Sequence, residues 1–144
     1  MFRRVMIGFD SSPNSSEAVR VGADLARIVR GEALALIAVS ARKGDDQESR
    51  RLTFEAEASA LREHARHQFE AINSSDITYR VKVISSDDPA EALMDYFKQH
   101  GYDLLVIGRH GRDQPSHMGL GRVVTEIVNR ASFPVLVVGD GLVH

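Results

Sequence analysis

The sequence predicts a doubly wound, three-layer α/β/α domain with five parallel strands in the order 3-2-1-4-5. Three observations carry this. Short uninterrupted apolar runs alternate with longer stretches of helical periodicity, giving βαβαβαβαβ, which implies a parallel sheet with helices on both faces. One run, 77–84, stands apart: Tyr79, Val81 and Val83 alternate with Arg80 and Lys82, as in an edge strand with one wet face. A glycine-bearing stretch, Gly108-Arg109-His110-Gly111 and then Gly121-Arg122-Val123, leads from a strand end to a helix start.

The elements follow in order. Val5-Met6-Ile7-Gly8-Phe9 is a short apolar run, read as a buried strand. A helix over 13–30 follows: Ser12 can cap it, Pro13 suits its first position and Glu17 lies near its first turn. Its expected buried face is Ala18, Val21, Gly22, Leu25, Ile28 and Val29, and Gly31 ends it. The second strand is 33–39, apolar throughout, and 42–46 is a polar loop. The second helix covers 47–73, with Phe54, Ala58, Leu61, Ala65, Phe69 and Ile72 on one stripe. After the edge strand at 77–84 comes a helix over 89–100, with Ala90, Leu93, Met94 and Phe97 on one face and Asp87-Asp88 as its cap. The fourth strand is 103–107, the fourth helix 120–131 and the fifth strand 134–138.

Composition bounds the function. The 144 residues suit one domain, spanning 1–144, with 43% apolar and 26% charged residues. A net charge of −2 gives no global field for nucleic acid or an anionic membrane. The chain has no cysteine, which excludes disulfides, thiolate metal sites and thiol catalysis and is compatible with a cytoplasmic protein. The apolar run at 5–9 is too short for a signal segment, and no stretch approaches the roughly 20 apolar residues of a membrane span.

Strand 3 at an edge puts strands 1 and 4 side by side in the middle, where the winding reverses. Ligands in open α/β sheets bind at that switch point, outside the carboxyl ends of the strands. Asp10, after strand 1, and Gly108, after strand 4, fall there. A glycine loop opening a helix can turn backbone N–H groups toward an anion, with nucleotide phosphate the leading ligand. The same glycines also read as plain turn residues. The spacing is neither a P-loop nor GxGxxG.

The chain resembles the universal stress protein family over nearly its full length. The resemblance rests on residues 5–15 (Val-Met-Ile-Gly-Phe-Asp-Ser-Ser-Pro-Asn-Ser), on Asp103-Leu-Leu-Val-Ile-Gly108 and on Pro134-Val-Leu-Val-Val138. Gly108, Gly111 and Gly121 fit the Gly-x2-Gly-x9-Gly-(Ser/Thr) pattern of members that bind ATP. The resemblance implies a flavodoxin-like (Rossmann-like) five-stranded sheet, a role in stress survival and frequent dimerisation. It implies an adenine nucleotide, ATP or else AMP or ADP, with or without magnesium. By position, Gly8, Phe9 and Asp10 would meet it at the end of strand 1, Asp10 accepting from adenine or ribose. Val39 would line the base, and Ile107 and Gly108 would pass close to the ribose. Gly111, Gly121 and the amides of Arg122 and Val123 would face phosphates. One position departs: Arg122 stands where the pattern has Ser or Thr. Its guanidinium would supply a charge-assisted donor, point to solvent or plug the site. Asp113 and Pro115 also bear on that loop.

Other candidates read more plainly. His64 and His67 have metal-ligand spacing beside Glu63 but belong to the solvated flank of their helix. His110 and His117 flank the glycine loop; one could touch phosphate, but loop histidines more often read as solvated. Ser11, Ser12, Ser15 and Ser16 suggest a nucleophile, yet no histidine is adjacent in the motif and capping explains Ser12. The charges of the second helix form a mixed-sign solvated face. Two function classes remain: an adenine-nucleotide-binding regulatory module, or a stress-related homodimer acting through protein partners with an empty pocket. Catalysis finds no base–nucleophile pair; the resemblance allows at most slow ATP hydrolysis. A receiver domain is excluded by the single carboxylate after strand 1. The uncharged edge Val135–Val138 calls for cover, and a second copy of strand 5 across a two-fold axis would provide it.

Overall fold

A computed structural model describes residues 2–72, 74–110 and 120–139. Its strands are β1 (Arg4–Gly8), β2 (Glu32–Val39), β3 (Thr78–Ser85), β4 (Leu104–Gly108) and β5 (Val135–Val138). Its helices are α1 (Pro13–Ile28), α2 (Gln47–Ala71), α3 (Pro89–Gln99) and α4 (Arg122–Arg130), with one 3-10 turn at Ser74–Asp76. The sheet order is β3-β2-β1-β4-β5, and every pairing is parallel. The doubly wound fold expected from the sequence is therefore present.

Two apolar layers sandwich the sheet. One joins Val5, Ile7 and Phe9 to α1 and α2 through Ala18, Val19, Ala23, Leu61, Ala65 and Phe69. The other joins Met6, Leu34, Leu36, Leu105 and Ile107 to α3 and α4 through Leu93, Phe97, Val124 and Ile127. Alternate residues of β1 thus face opposite layers, which is why that run has no polar member. In β3, Arg80 and Lys82 are exposed, as expected of a half-wet edge.

Helix α1 differs from expectation. Its buried residues are Asn14, Ser15, Ala18, Val19, Gly22, Ala23 and Ala26, while Ile28 is 75% exposed. The contact face is made of small residues because the helix lies tight on the sheet. A Cβ at Gly22 would stand 2.6 Å from Ile7 side-chain atoms. The helix also ends earlier than expected: Arg30, not Gly31, takes the left-handed conformation, with φ 56°. Gly31 is needed for a different reason. A Cβ there would meet the Arg3 carbonyl oxygen at 1.9 Å. Helix α4 starts at Arg122 because Gly121 is its N-cap, and β4 runs one residue further, pairing Gly108 with Val138.

Candidate nucleotide site

All strands are parallel, so the helices that follow them begin at one end of the sheet. The turns entering α1 and α3 are built to do so. Ser12 Oγ accepts the Ser15 N–H at 3.1 Å, and Asp88 Oδ1 accepts the Glu91 N–H at 3.2 Å. Proline holds the first position of each helix. Helix α4 starts otherwise. Gly121 donates its N–H to the Arg109 carbonyl at 2.9 Å, but among the described residues no side chain caps the helix, and no acidic residue lies in its first turn. The amides of that first turn have no partner within the helix.

A cavity of about 570 Å³ opens between these helix starts and the ends of β1, β2 and β4. Such a volume suits a nucleotide-sized ligand. Its wall has an apolar side, including Leu36, Ala38, Pro89, Leu93 and Ile107, and a polar side at Gly121–Val123. Four carboxylates also line it, and each is engaged. Asp10 Oδ1 accepts the Ser12 N–H at 2.9 Å, Asp88 caps α3, Asp87 pairs with Arg42 at 2.8 Å, and Glu126 lies 3.8 Å from Arg130. Arg122, by contrast, makes no ion pair among the described residues. It is an exposed cation on the cavity wall, at a helix start where a positive charge is locally unfavourable.

Most residues expected at the site converge on it: Gly8, Phe9, Asp10, Ile107, Gly108, Gly121, Arg122 and Val123 all line the cavity. Gly111 lies outside the described residues, as do Asp113, Pro115 and His117. Val39 is a correction. Its side chain is buried in the α1/α2 layer, and its neighbour Ala38 faces the cavity instead. A strand buried on both faces carries no polar alternation to set the parity. Gly108 has a structural duty as well: a Cβ there would stand 2.7 Å from Asn14 Cβ and 2.9 Å from Asn14 backbone carbon. The glycine lets the first turn of α1 cross the end of β4.

Two histidines are also placed differently from expectation. His110, expected to be solvated, is 8% exposed, lines the cavity and donates its backbone N–H to Asn14 Oδ1 at 3.2 Å. Asn14 itself, fully buried in the first turn of α1, was not a candidate. Ser12, Asn14 and Ser15 are all buried polar residues at this helix start, and no local pattern singles out Asn14. His64 is half-buried: its Nδ1 lies 2.7 Å from Ser11 Oγ and its ring packs edge-on against Phe9.

An open parallel sheet with a ligand-sized cleft at its reversal point defines a class of small-ligand-binding α/β proteins. The universal stress protein family model matches residues 1–139, and the chain belongs to that family. A curated universal stress protein of Methanocaldococcus jannaschii is 30% identical over 81 residues, which are 54% of this chain and 50% of that protein. The match thus spans about half of that relative's length. Among solved structures, a universal stress protein from Lactobacillus plantarum superposes with a TM-score of 0.84 at 22% identity, covering 95% of this chain and 97% of its own. A universal stress protein in complex with cAMP gives 0.68 at 23% identity, covering 97% and 98%. An Arabidopsis thaliana family protein with AMP bound gives 0.68 at 15% identity, covering 96% and 92%.

Proposed function

We propose that the cavity binds an adenine nucleotide, of the ATP, ADP or AMP type, and that the protein acts as a cytoplasmic, nucleotide-responsive regulator in stress. The observation that carries the reading is the division of the cavity into an apolar slot and an uncapped helix start bearing Arg122. The base would lie along Leu36, Ala38, Leu93 and Ile107. The ribose would pass Gly8 and Gly108 near Asp10. The phosphates would take the first-turn amides of Arg122 and Val123 and the Arg122 guanidinium. Solved relatives that carry cAMP or AMP support the adenine assignment. Among the described residues no three His, Asp or Glu side chains group to hold a metal ion. Titration calorimetry with ATP, ADP, AMP and cyclic AMP, with and without magnesium, tests this; absence of heat at millimolar ligand would sink it.

We propose in addition that the protein is a homodimer through β5. Strand β5 is an edge, carries no charge, and leaves Leu136 38% exposed. Antiparallel pairing with a second copy would satisfy its free N–H and C=O groups. Light scattering should show a dimer at micromolar concentration and a monomer or insoluble protein for Leu136→Lys. A parent monomer at high micromolar concentration would contradict it.

A further inference from the structure

Beside the cavity, the turn from β1 to α1 carries a second piece of chemistry. Ser11 sits between the strand end and the helix start in the left-handed conformation, with φ 69°. A non-glycine residue is strained there. Its Oγ lies 2.7 Å from His64 Nδ1, contributed by α2 from 53 residues away. The His64 ring is set edge-on to Phe9, with ring centroids 5.3 Å apart. Both residues are half-buried rather than sealed. A hydroxyl on a strained strand-to-helix turn, hydrogen-bonded to an imidazole, has the geometry of an activated nucleophile.

We propose that Ser11 is an acylation site, with His64 as its general base and an activated, uncharged acyl ester as the donor class. Ser11 Oγ attacks the carbonyl carbon, the Oγ–C bond forms, and the ester C–O bond breaks with its electron pair leaving on the alkoxide or phenolate. With its ring proton on Nε2, His64 takes the hydroxyl proton at Nδ1 and passes it to water. Two neighbours narrow the chemistry. The Asp10 carboxylate repels an anionic phosphoryl donor. The Ser12 N–H, the natural oxyanion donor after such a nucleophile, is already donated to Asp10 Oδ1 at 2.9 Å. The acyl-serine is thus formed slowly and hydrolysed more slowly still, so the product is a modified protein and not a turned-over substrate.

The test is incubation of the full chain with p-nitrophenyl acetate, following nitrophenolate release and mapping acetyl groups by peptide mass spectrometry. The expected result is a burst of about one equivalent with the acetyl on Ser11. Ser11→Gly, which suits the left-handed backbone and should keep the native melting transition, abolishes the burst. His64→Gln, which can keep a hydrogen bond to Ser11, slows it about a hundredfold. Acetyl groups scattered over lysines and surface serines, an acetyl retained on His64, or an unchanged burst in His64→Gln would overturn the proposal. None of these readouts depends on nucleotide binding.

Discussion

The two ends of the sheet are built on opposite principles. At the amino ends of the strands, charges close on one another. Asp103 accepts the N–H groups of Arg3 and Arg4 at 2.9 and 2.8 Å. Glu32 takes Arg4 at 2.8 Å and lies 3.7 Å from Arg80, and the Arg4 guanidinium stands 4.3 Å over the Tyr102 ring. At the carboxyl ends the carboxylates are tied off, but among the described residues α4 has no side-chain cap and Arg122 has no ion pair. Concave space exists at both ends: a hollow of about 560 Å³ at Arg27, Arg30, Gly31 and 75–78 adjoins the clamp. What sets the carboxyl end apart is an apolar wall beside the exposed Arg122 and the first-turn N–H groups of α4. Both ends use glycine for close approach, so the glycines alone do not distinguish clamp from site.

The comparison can be broken hardest at the clamp. Gly31→Ala places a Cβ 1.9 Å from the Arg3 carbonyl oxygen, a backbone atom that also accepts the Glu32 N–H at 2.8 Å. We expect a loss of about 3 kcal/mol or more in denaturant unfolding, because backbone must move. Asp103→Asn should cost about 1–3 kcal/mol at neutral pH by weakening two charge-assisted bonds. Burial pushes the Asp103 carboxyl up, but the Arg3 and Arg4 N–H groups outweigh it and hold it below its ordinary value. A carboxyl lowered in the folded state stabilises fully above its unfolded pKa of about 3.9 and loses that contribution as pH falls through the folded value. The gap between parent and Asp103→Asn should therefore be widest near neutrality and close below about pH 4, as urea midpoints across pH would record.

At the site end the effects fall on ligand rather than on fold. Gly121 has φ −73° and ψ 173°, close to the φ −71° and ψ 157° of the capping residue Ser12. Gly121→Asp would cap α4, leaving stability unchanged or raised by a few tenths of a kcal/mol. It would also put a carboxylate where phosphate is proposed, and nucleotide affinity should drop at least about tenfold. Arg122→Ser should give a smaller loss with a flatter salt dependence. Tighter binding by Arg122→Ser would mean that the guanidinium obstructs the cavity.

How much of this was legible follows from where each signal lives. Strand order could be read because Arg80 and Lys82 alternate with Val81 and Val83, a pattern only an edge strand tolerates. The switch point then located Asp10 and Gly108 without any side-chain detail. The choice between Ala38 and Val39 was not legible, since β2 is buried on both faces and either parity satisfies an apolar run. On α1 the expected Ala18 and Gly22 are buried and Val21 and Leu25 pack partly against the core, but Ile28 faces out and the small Ala23 and Ala26 take the close contact, which apolar spacing alone does not reveal. The Ser11–His64 contact joins residues on different elements, and no local pattern encodes such a meeting.

Amide hydrogen exchange with and without saturating AMP tests the contrast between the two ends most directly. AMP should bring new protection at 8–12 and 121–125, with Arg122 and Val123 foremost, and no change at Arg3, Arg4, Glu32 or Asp103. Equal protection at both ends, or protection confined to the clamp, would contradict it.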